Sequence, residues 1–286
     1  MKNSNAENGP INWNLVIKPT SAWFDLKLRE IWRYRELAAM FVRRDFVTVY
    51  KQTILGPLWF LIQPLLSTTI FTIIFGKIAR IPTNEIPHYL FYLSGLTFWG
   101  YFSECIINTS NTFVSNSGIF GKVYFPRMLV PISVVISTMI KFGVQLLLFT
   151  GFFIYYAGEG MLFRPNWYLL LFPLLVLQTA LLALGLGLLI SSLTTKYRDF
   201  TMLVGFGVSL WMYATPIVYP ISQVPEKYLV FYRLNPMVSV ICNFRYSVFG
   251  TGAPESLLFG WVLTIFFLII GAISFTKIEK NFMDTV

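Results

Sequence analysis

Long stretches without a charged side chain dominate the chain between Gln52 and Thr276. Four such stretches carry no charge at all: Gln52–Gly76, Pro165–Thr195, Phe200–Pro225 and Ser256–Thr276. Two more, 89–121 and 128–158, each contain a single ionisable residue within the run, Glu104 and Lys141 respectively. A helix needs about 20 apolar residues to cross a bilayer core of about 30 Å. Each stretch is therefore long enough to cross a membrane.

The pattern inside these stretches favours helices over the strands of a membrane barrel. Backbone polar groups in lipid must be paired internally, which leaves helix bundles or closed barrels. Barrel strands alternate polar and apolar residues, whereas the segment 169–190 is apolar almost throughout. The composition agrees, since 56% of residues are hydrophobic and only 12% are charged. We predict an all-α integral membrane protein with six transmembrane helices, at Leu55–Gly76, Tyr89–Phe113, Met128–Tyr156, Trp167–Leu193, Phe200–Thr215 and Leu257–Phe275.

Three segments outside these spans have patterns of their own. Residues 1–20 are polar and are predicted to form a flexible cytoplasmic tail, and residues 21–286 a single transmembrane domain. The segment Ala22–Leu37 is predicted to be an amphipathic helix in the membrane interface, because aromatic and apolar residues gather on one side and charges on another. Prolines interrupt the apolar segment Pro216–Gly250, which predicts re-entrant or interfacial helices at the outer face between spans 5 and 6.

The basic residues are distributed unevenly along the chain. Nine of the 22 Lys and Arg residues precede the first span. By the positive-inside rule, this places the N-terminus in the cytoplasm, and six crossings return the C-terminus to the same side. Fifteen basic residues then face the cytoplasm and six face outward. The net charge of +9 is thus explained by membrane orientation, and we expect no nucleic-acid partner.

The sequence offers no catalytic constellation and no metal site. Its one histidine, His88, excludes histidine clusters and Ser-His-Asp arrangements. The chain lacks the G-x-x-x-x-G-K-[ST] loop that holds nucleotide phosphates. The two cysteines, Cys105 and Cys242, lie too far apart in the predicted topology to form a disulfide. We therefore expect neither enzymatic activity nor a cofactor in this chain.

Glu104 and Lys141 are the two charges predicted to lie within the membrane. Charged residues at such depth are costly and usually face a bundle interior or a cavity. One hypothesis is that the two side chains approach each other or line a conduit. The alternative is that Lys141 extends its ammonium group to the interface and Glu104 forms a local hydrogen bond.

A set of short motifs occurs in a characteristic order between Ala22 and Val286. They are Arg44-Asp45-Phe46, Tyr50-Lys51, Leu55-Gly56, Trp59, Pro64, Lys122, Tyr124-Phe125-Pro126-Arg127, Lys196-Tyr197-Arg198-Asp199-Phe200, Thr215-Pro216-Ile217-Val218-Tyr219-Pro220, Val224-Pro225-Glu226-Lys227, Leu234-Asn235-Pro236-Met237 and Arg245. Each motif alone is weak, but the ordered set resembles the permease subunit of polysaccharide-exporting ABC transporters of the ABC-2 type, the family of O-antigen, capsule and teichoic-acid exporters.

The resemblance implies a set of partners and a location. Two copies would form a homodimer and pair with two copies of a separate ABC ATPase subunit, which would hold MgATP. The substrate would be an undecaprenyl-diphosphate-linked polysaccharide, with O-antigen the favoured cargo. The protein would lie in the bacterial inner membrane among its lipids. Spans 1 and 5 would help to line the conduit.

The resemblance also assigns roles to particular residues. Contact with the ATPase is assigned to the N-terminal helix and the loop before span 3, through Phe24, Leu28, Ile31, Trp32, Phe120, Lys122, Tyr124 and Arg127. Attraction of the lipid diphosphate, or docking, is assigned to Arg43, Arg44 and Lys51, although their charge also serves as a topology signal. The outer gate is assigned to Pro216, Tyr219, Pro220, Asn235, Pro236 and Arg245.

Three other functions are compatible with parts of the pattern. An ABC-2 exporter of a small molecule, such as a drug or haem, would share the same fold. An ion-coupled carrier would use Glu104 and Lys141, but such carriers are usually built from inverted repeats, and none is visible here. A membrane enzyme would need positioned acid and base groups, and the sequence offers one histidine and no clustered carboxylates on a loop.

Overall fold

The computed structural model describes residues 28–51, 54–161, 163–197 and 199–281. All regular secondary structure in these ranges is helical, which confirms the predicted all-α membrane protein. The predicted tail at 1–20 and Phe24 lie outside the described residues. The helices are α1 (Leu28–Arg33), α2 (Arg35–Tyr50), α3 (Trp59–Phe71), α4 (His88–Ser110), α5 (Thr112–Phe120), α6 (Leu129–Gly158), α7 (Phe172–Lys196), α8 (Phe200–Tyr213), α9 (Glu226–Arg233), α10 (Pro236–Phe249) and α11 (Leu257–Asn281).

Four helical segments in the described ranges are long and apolar enough to cross a membrane. They are Gly56–Ile78, Leu129–Gly158, Trp167–Lys196 and Leu257–Glu279, and they match predicted spans 1, 3, 4 and 6. The other two predicted spans correspond to α4 and α8. Helix α4 has 23 residues but is more polar than the rest. Helix α8 is apolar but has 14 residues, which extend about 21 Å and so fall short of a full crossing on their own.

Helix α4 lies at the centre of the bundle and packs against α3, α6, α7, α8 and α10. Its aromatic side chains fill the core, where the Phe98 ring lies 5.2 Å from Phe142 of α6 and 4.7 Å from Phe244 of α10. Trp99 is also buried, and its ring lies 6.3 Å from Trp211 of α8. The hydroxyl side chains Ser94, Thr97 and Thr109 of α4 are buried by these neighbours, so a helix of lower hydropathy is accommodated at the centre of the bundle.

Helices α7 and α11 cross at very short range because glycines line the contact. A Cβ atom at Gly271 would lie 2.0 Å from the carbonyl oxygen of Gly185, and one at Gly185 would lie 2.6 Å from the backbone of Leu268. Small residues at such crossings allow two backbones to approach closely in a membrane, where packing must replace the hydrophobic effect between helices.

Two helices occupy the proline-rich segment between spans 5 and 6, as the sequence predicted. Helix α9 is exposed on most of its surface, whereas nearly every residue of α10 is buried. Asn235 caps α10, since its Oδ1 accepts from the Met237 N–H at 3.1 Å, and Pro236 follows at the first helical position. The helix ends at Gly250, which adopts φ 69°, a left-handed conformation that glycine takes without strain.

The N-terminal helix differs from its prediction. Residues 22–27 of the predicted helix Ala22–Leu37 lie outside the described residues; from Leu28 onward, α1 and α2 are separated by a break at Tyr34, and α2 continues to Tyr50. Ile31 packs against the core, but Trp32 is 73% exposed and does not share that face. The error arose because the apolar face continues through Leu37, Ala38 and Phe41 rather than through Trp32.

Candidate functional site

A cluster of aromatic side chains joins the N-terminal helices, the loop before α6 and the end of α11. Phe113 stacks on Phe275 of α11 with the ring centres 4.7 Å apart, and Phe120 lies 5.8 Å from Phe113. Phe125 lies 5.7 Å from Phe120 and 5.6 Å from Phe41 of α2. We call this group the Phe120 cluster. Its ring contacts connect α2, α5, the loop after α5 and α11.

The loop between α5 and α6 rises from the Phe120 cluster and exposes its tip. Residues 121–124 are exposed, and Tyr124 retains 55% of its accessible surface. The two phenylalanines that flank this tip, Phe120 and Phe125, are buried. Lys122 and Tyr124 are therefore positioned for contact with a partner, whereas Phe120, at 3% exposure, anchors the loop.

Arg127 fixes the other end of this loop to the C-terminal helix. Its guanidinium donates to the Glu279 carbonyl oxygen at 2.7 Å, and its backbone N–H donates to the Glu279 carboxylate at 3.3 Å. Burial lowers the pKa of the Arg127 guanidinium from its ordinary value, and the Glu279 carboxylate opposes that shift. The Arg127 side chain is thus committed to holding the loop.

The N-terminal helices lie beside the same loop. Helix α1 begins at Leu28, Ile31 packs against the Phe120 cluster, and Trp32 is exposed. Of the residues assigned to partner contact, Trp32, Lys122 and Tyr124 are accessible, whereas Ile31 and Phe120 are held in the packing beneath. The structure thus brings the described members of this set to one end of the bundle.

The three basic residues Arg43, Arg44 and Lys51 are all exposed along α2 or just beyond it. Arg44 forms an ion pair with Asp45, with Nη2 2.8 Å from Oδ1, and its guanidinium lies 4.9 Å from the centre of the Phe41 ring. The neighbouring carboxylate therefore offsets the positive charge at this point of the helix.

Glu104 and Lys141 form an ion pair between α4 and α6. The Lys141 ammonium group donates to a Glu104 carboxylate oxygen and lies 5.4 Å from the centre of the Phe60 ring. The side chains are 34% exposed for Glu104 and 19% for Lys141. The structure thus brings together the two intramembrane charges, as the first sequence hypothesis proposed.

Next to this pair lies a polar cavity of about 380 Å³ between α2, the α4–α5 junction and α6. Its walls include Arg44, Asp45 and Lys141, with three asparagines (Asn108, Asn111, Asn116) and hydroxyl groups from Ser115, Ser137 and Thr138. By contrast, the cavity lined by Leu146, Phe149 and Phe153 is apolar. We call the first one the asparagine cavity.

Arg245 of α10 is 5% exposed and donates four hydrogen bonds. Its Nε donates to Ser94 Oγ at 3.1 Å, while its terminal nitrogens donate to the carbonyl oxygens of Pro216 at 2.5 Å and of Phe91 and Ile217 at 3.0 Å each. The guanidinium also lies 3.6 Å from the centre of the Phe91 ring. Arg245 thereby joins α10, α4 and the segment after α8, using neutral acceptors.

The remaining residues assigned to an outer gate surround this point. The Asn235 amide donates to Thr215 Oγ1 at 2.8 Å, which joins the start of α10 to the end of the α8 segment. The Tyr219 hydroxyl donates to the Tyr213 carbonyl oxygen at 2.7 Å and contacts the Tyr232 hydroxyl of α9. Pro216, Pro220 and Pro236 are buried. All six residues therefore lie in one hydrogen-bonded region.

Sequence reasoning missed several residues that complete these sites. Ser94 and Gly95 of α4 receive Arg245, since a Cβ at Gly95 would lie 2.8 Å from its guanidinium. Glu279 holds the loop through Arg127, and the polar residues of the asparagine cavity come from four helices, α2, α4, α5 and α6. Helical periodicity carries no signal for contacts between helices. The closely spaced asparagines at 108, 111 and 116 were the one signal in the sequence that could have indicated a polar site.

Comparison with known proteins adds a family to this geometry. Residues 36–249 match the sequence model of the family described as ABC-2 type transporter. The O-antigen export system permease protein RfbA of Klebsiella pneumoniae is 29% identical over 256 residues, covering 87% of this chain and 94% of that protein. A protein of the same name from Myxococcus xanthus is 28% identical over 232 residues, covering 80% and 86%. The inner membrane transport permease YadH of Escherichia coli (strain K12) is 25% identical over 250 residues, covering 82% and 91%.

Proposed function

The chain belongs to the ABC-2 type transporter family, and from that premise we propose that it is the membrane-spanning subunit of a polysaccharide exporter. The observation that carries the proposal is its similarity, over 87% and 80% of its length, to two permeases named for O-antigen export. O-antigen is the favoured cargo. The protein would act in the bacterial inner membrane.

We propose that two copies form the conduit through α3 and α8. Both helices contact α4 but leave apolar faces uncovered, through Leu66 and Ile70 on α3 and through Met202 and Phe206 on α8. Uncovered apolar faces of this kind are compatible with lipid or with a second copy. The exported polymer is far longer than the bilayer is thick, so a closed cavity within one copy could not enclose it. A continuous channel between two copies could.

Movement through the conduit would be driven by a separate ATPase subunit, present in two copies, that holds MgATP. The exposed loop at 121–124 and Trp32 of α1 offer a docking surface, supported by the buried Phe120 cluster beneath them. Because this loop is tied to α11 through Arg127 and Glu279, a displacement at the docking surface would be transmitted directly to a transmembrane helix.

The orientation proposed from the basic residues places both termini, α2 and this loop in the cytoplasm. Helices α9 and α10 would then close the outer end. The exposed residues Arg43 and Lys51, and to a smaller extent Arg44 because Asp45 pairs with it, would attract the diphosphate of an undecaprenyl-linked glycan to the inner surface, since basic groups beside a membrane attract anionic headgroups.

Depletion of the protein in its host tests the proposal. We expect the lipid-linked polysaccharide to accumulate in the inner leaflet and the surface polysaccharide to disappear, with both effects reversed by a plasmid copy. Thin-layer chromatography of extracted lipids and immunoblots of surface polysaccharide would measure the two pools. Unchanged surface polysaccharide would reject the proposal, and loss of efflux of a drug or haem in the same strain would favour a small-molecule exporter.

A further inference from the structure

The asparagine cavity has the composition of a site for neutral, hydroxyl-rich ligands rather than for anions. It extends along α6 from Val130 to Lys141, a rise of about 17 Å at 1.5 Å per residue. Its volume of about 380 Å³ falls in the range of small-molecule sites, about 300–1,000 Å³. In the proposed orientation, the end of the cavity at Val130 lies beside the cytoplasmic loop, where a substrate would arrive.

The charges around the cavity cancel. The Arg44 guanidinium is paired with the Asp45 carboxylate, and the Lys141 ammonium group is paired with the Glu104 carboxylate. A phosphate or diphosphate group carries negative charge and accepts hydrogen bonds, so it binds where cations are in excess. Two neutralised pairs give little of that excess. The local charge therefore argues against a diphosphate site inside the cavity.

The hydroxyl and amide groups on the walls retain unused acceptor oxygens, and the amides also retain unused N–H donors. The Ser137 and Thr138 hydroxyls each donate to the Val134 carbonyl oxygen at 2.9 Å. The Asn111 amide donates to the Ile107 carbonyl oxygen at 3.1 Å, and Asn116 bonds back in the same way at 3.0 Å. Their oxygen lone pairs remain for a ligand that donates. Sugar hydroxyls donate hydrogen bonds, whereas ionised phosphates do not.

Asn108 and Phe46 complete this arrangement. Among the described residues, the Asn108 side chain makes no hydrogen bond and is exposed to the cavity, so its amide can both donate and accept. Phe46 also lines the cavity, with its ring 6.0 Å from that of Phe60, and aromatic rings pack against the apolar faces of sugar rings. Planar amides beside an aromatic ring suit the alternating hydroxyl and C–H faces of a pyranose.

We propose that the asparagine cavity binds the sugar portion of the exported glycan, with Asn108 and Asn111 as its principal hydrogen-bonding residues. This inference rests on the proposed function and names the part of the substrate that the membrane subunit itself recognises. The lipid diphosphate remains outside the cavity, near Arg43 and Lys51, which are not among its lining residues. The membrane subunit thus selects its cargo by neutral sugar chemistry.

A binding measurement on the full-length chain in lipid nanodiscs tests this site. The probe is the host's surface polysaccharide, released from its lipid by mild acid and labelled with a fluorophore at its reducing end. Fluorescence anisotropy is expected to show binding that is about tenfold weaker for the double variant Asn108→Ala/Asn111→Ala, because two ligand hydrogen bonds are lost. Ser117→Ala, on an exposed face of α5 outside the cavity, is expected to bind like the wild type.

The outcomes separate this site from the proposed function. Equal binding by the double variant and wild type would overturn the site, as would displacement of the labelled glycan by sodium diphosphate at concentrations that saturate an anion site. Absence of any glycan binding to the wild type overturns the site alone if depletion abolishes surface polysaccharide. If depletion leaves surface polysaccharide unchanged, the proposed function itself fails.

Discussion

The Nε of Arg245 donates to the Oγ of Ser94 at 3.1 Å and so connects α10 to the central helix α4. The remaining donors of Arg245 reach carbonyl oxygens at the end of the α8 segment and in α4. A buried guanidinium without a carboxylate partner is costly unless its donors are satisfied. The cost is offset here because one side chain joins three segments at one end of the bundle.

Replacing Arg245 by methionine is expected to destabilise the protein strongly. The change leaves the carbonyl oxygens of Pro216 and Ile217 buried without their donor, and we expect the free energy of unfolding to fall by about 3 kcal/mol. Thermal denaturation of the detergent-purified protein, followed by tryptophan fluorescence, would measure this.

Arg233 provides the matched control for that substitution. It pairs with Glu255 through two hydrogen bonds at 3.0 and 3.3 Å, but its side chain is largely exposed. Arg233→Met should therefore cost about 0.5 kcal/mol or less. Equal melting curves for Arg245→Met and the wild type would show that the buried contacts contribute nothing.

The glycine contact between α7 and α11 predicts a large effect from one methyl group. Gly271→Ala would place a Cβ 2.0 Å from the Gly185 carbonyl oxygen, so the two helices must separate, and we expect the unfolding free energy to fall by at least about 2 kcal/mol. Gly143→Ala in α6 meets no atom within 4 Å and should leave stability equal or slightly raised. Chemical denaturation of both variants would test the difference, and a wild-type transition for Gly271→Ala would contradict the close crossing.

The Glu104–Lys141 pair predicts energetic coupling between two helices. Glu104→Gln and Lys141→Met each leave one partly buried charge without its partner. The stability losses of the two single variants should therefore add up to more than the loss of the double variant. We expect a coupling energy of about 1 kcal/mol in a double-mutant cycle. The export activity of the three variants should rank in the same order as their stability. If both single variants assemble and transport like the wild type, the pair has no role in either.

The loop at 121–124 predicts that contact and anchoring can be separated by mutation. Tyr124→Ala removes an exposed ring and should weaken binding of the ATPase subunit about tenfold, with a smaller loss of stability than removal of a buried ring. Phe120→Ala removes a buried ring from the Phe120 cluster and should lower the unfolding free energy by about 3 kcal/mol. Co-purification of the ATPase and thermal melts would distinguish them; wild-type ATPase recovery with Tyr124→Ala would place the docking surface elsewhere.

Much of the architecture follows from the sequence because a bilayer restricts the chain so strongly. Uncharged runs of about 20 residues admit only helices, and the spans predicted from them correspond to α3, α4, α6, α7, α8 and α11. The prolines between Pro216 and Gly250 likewise predicted short helices, and α9 and α10 are found there. Segment length and polarity are local properties, so they can be read directly from the sequence.

Sequence alone placed Glu104 and Lys141 among the functional candidates, because charges within apolar stretches stand out, and the resemblance to ABC-2 permeases added Arg127 and Arg245. Only the tertiary structure decided what each one touches: Lys141 meets Glu104, Arg127 meets Glu279, and Arg245 reaches Ser94. It also left Trp32 exposed while Ile31 is packed, and it buried Phe120, which was predicted to contact the ATPase, beneath the loop. The physical reason is that each contact depends on how two helices rotate and slide against each other, and that is set by packing between residues far apart in the chain.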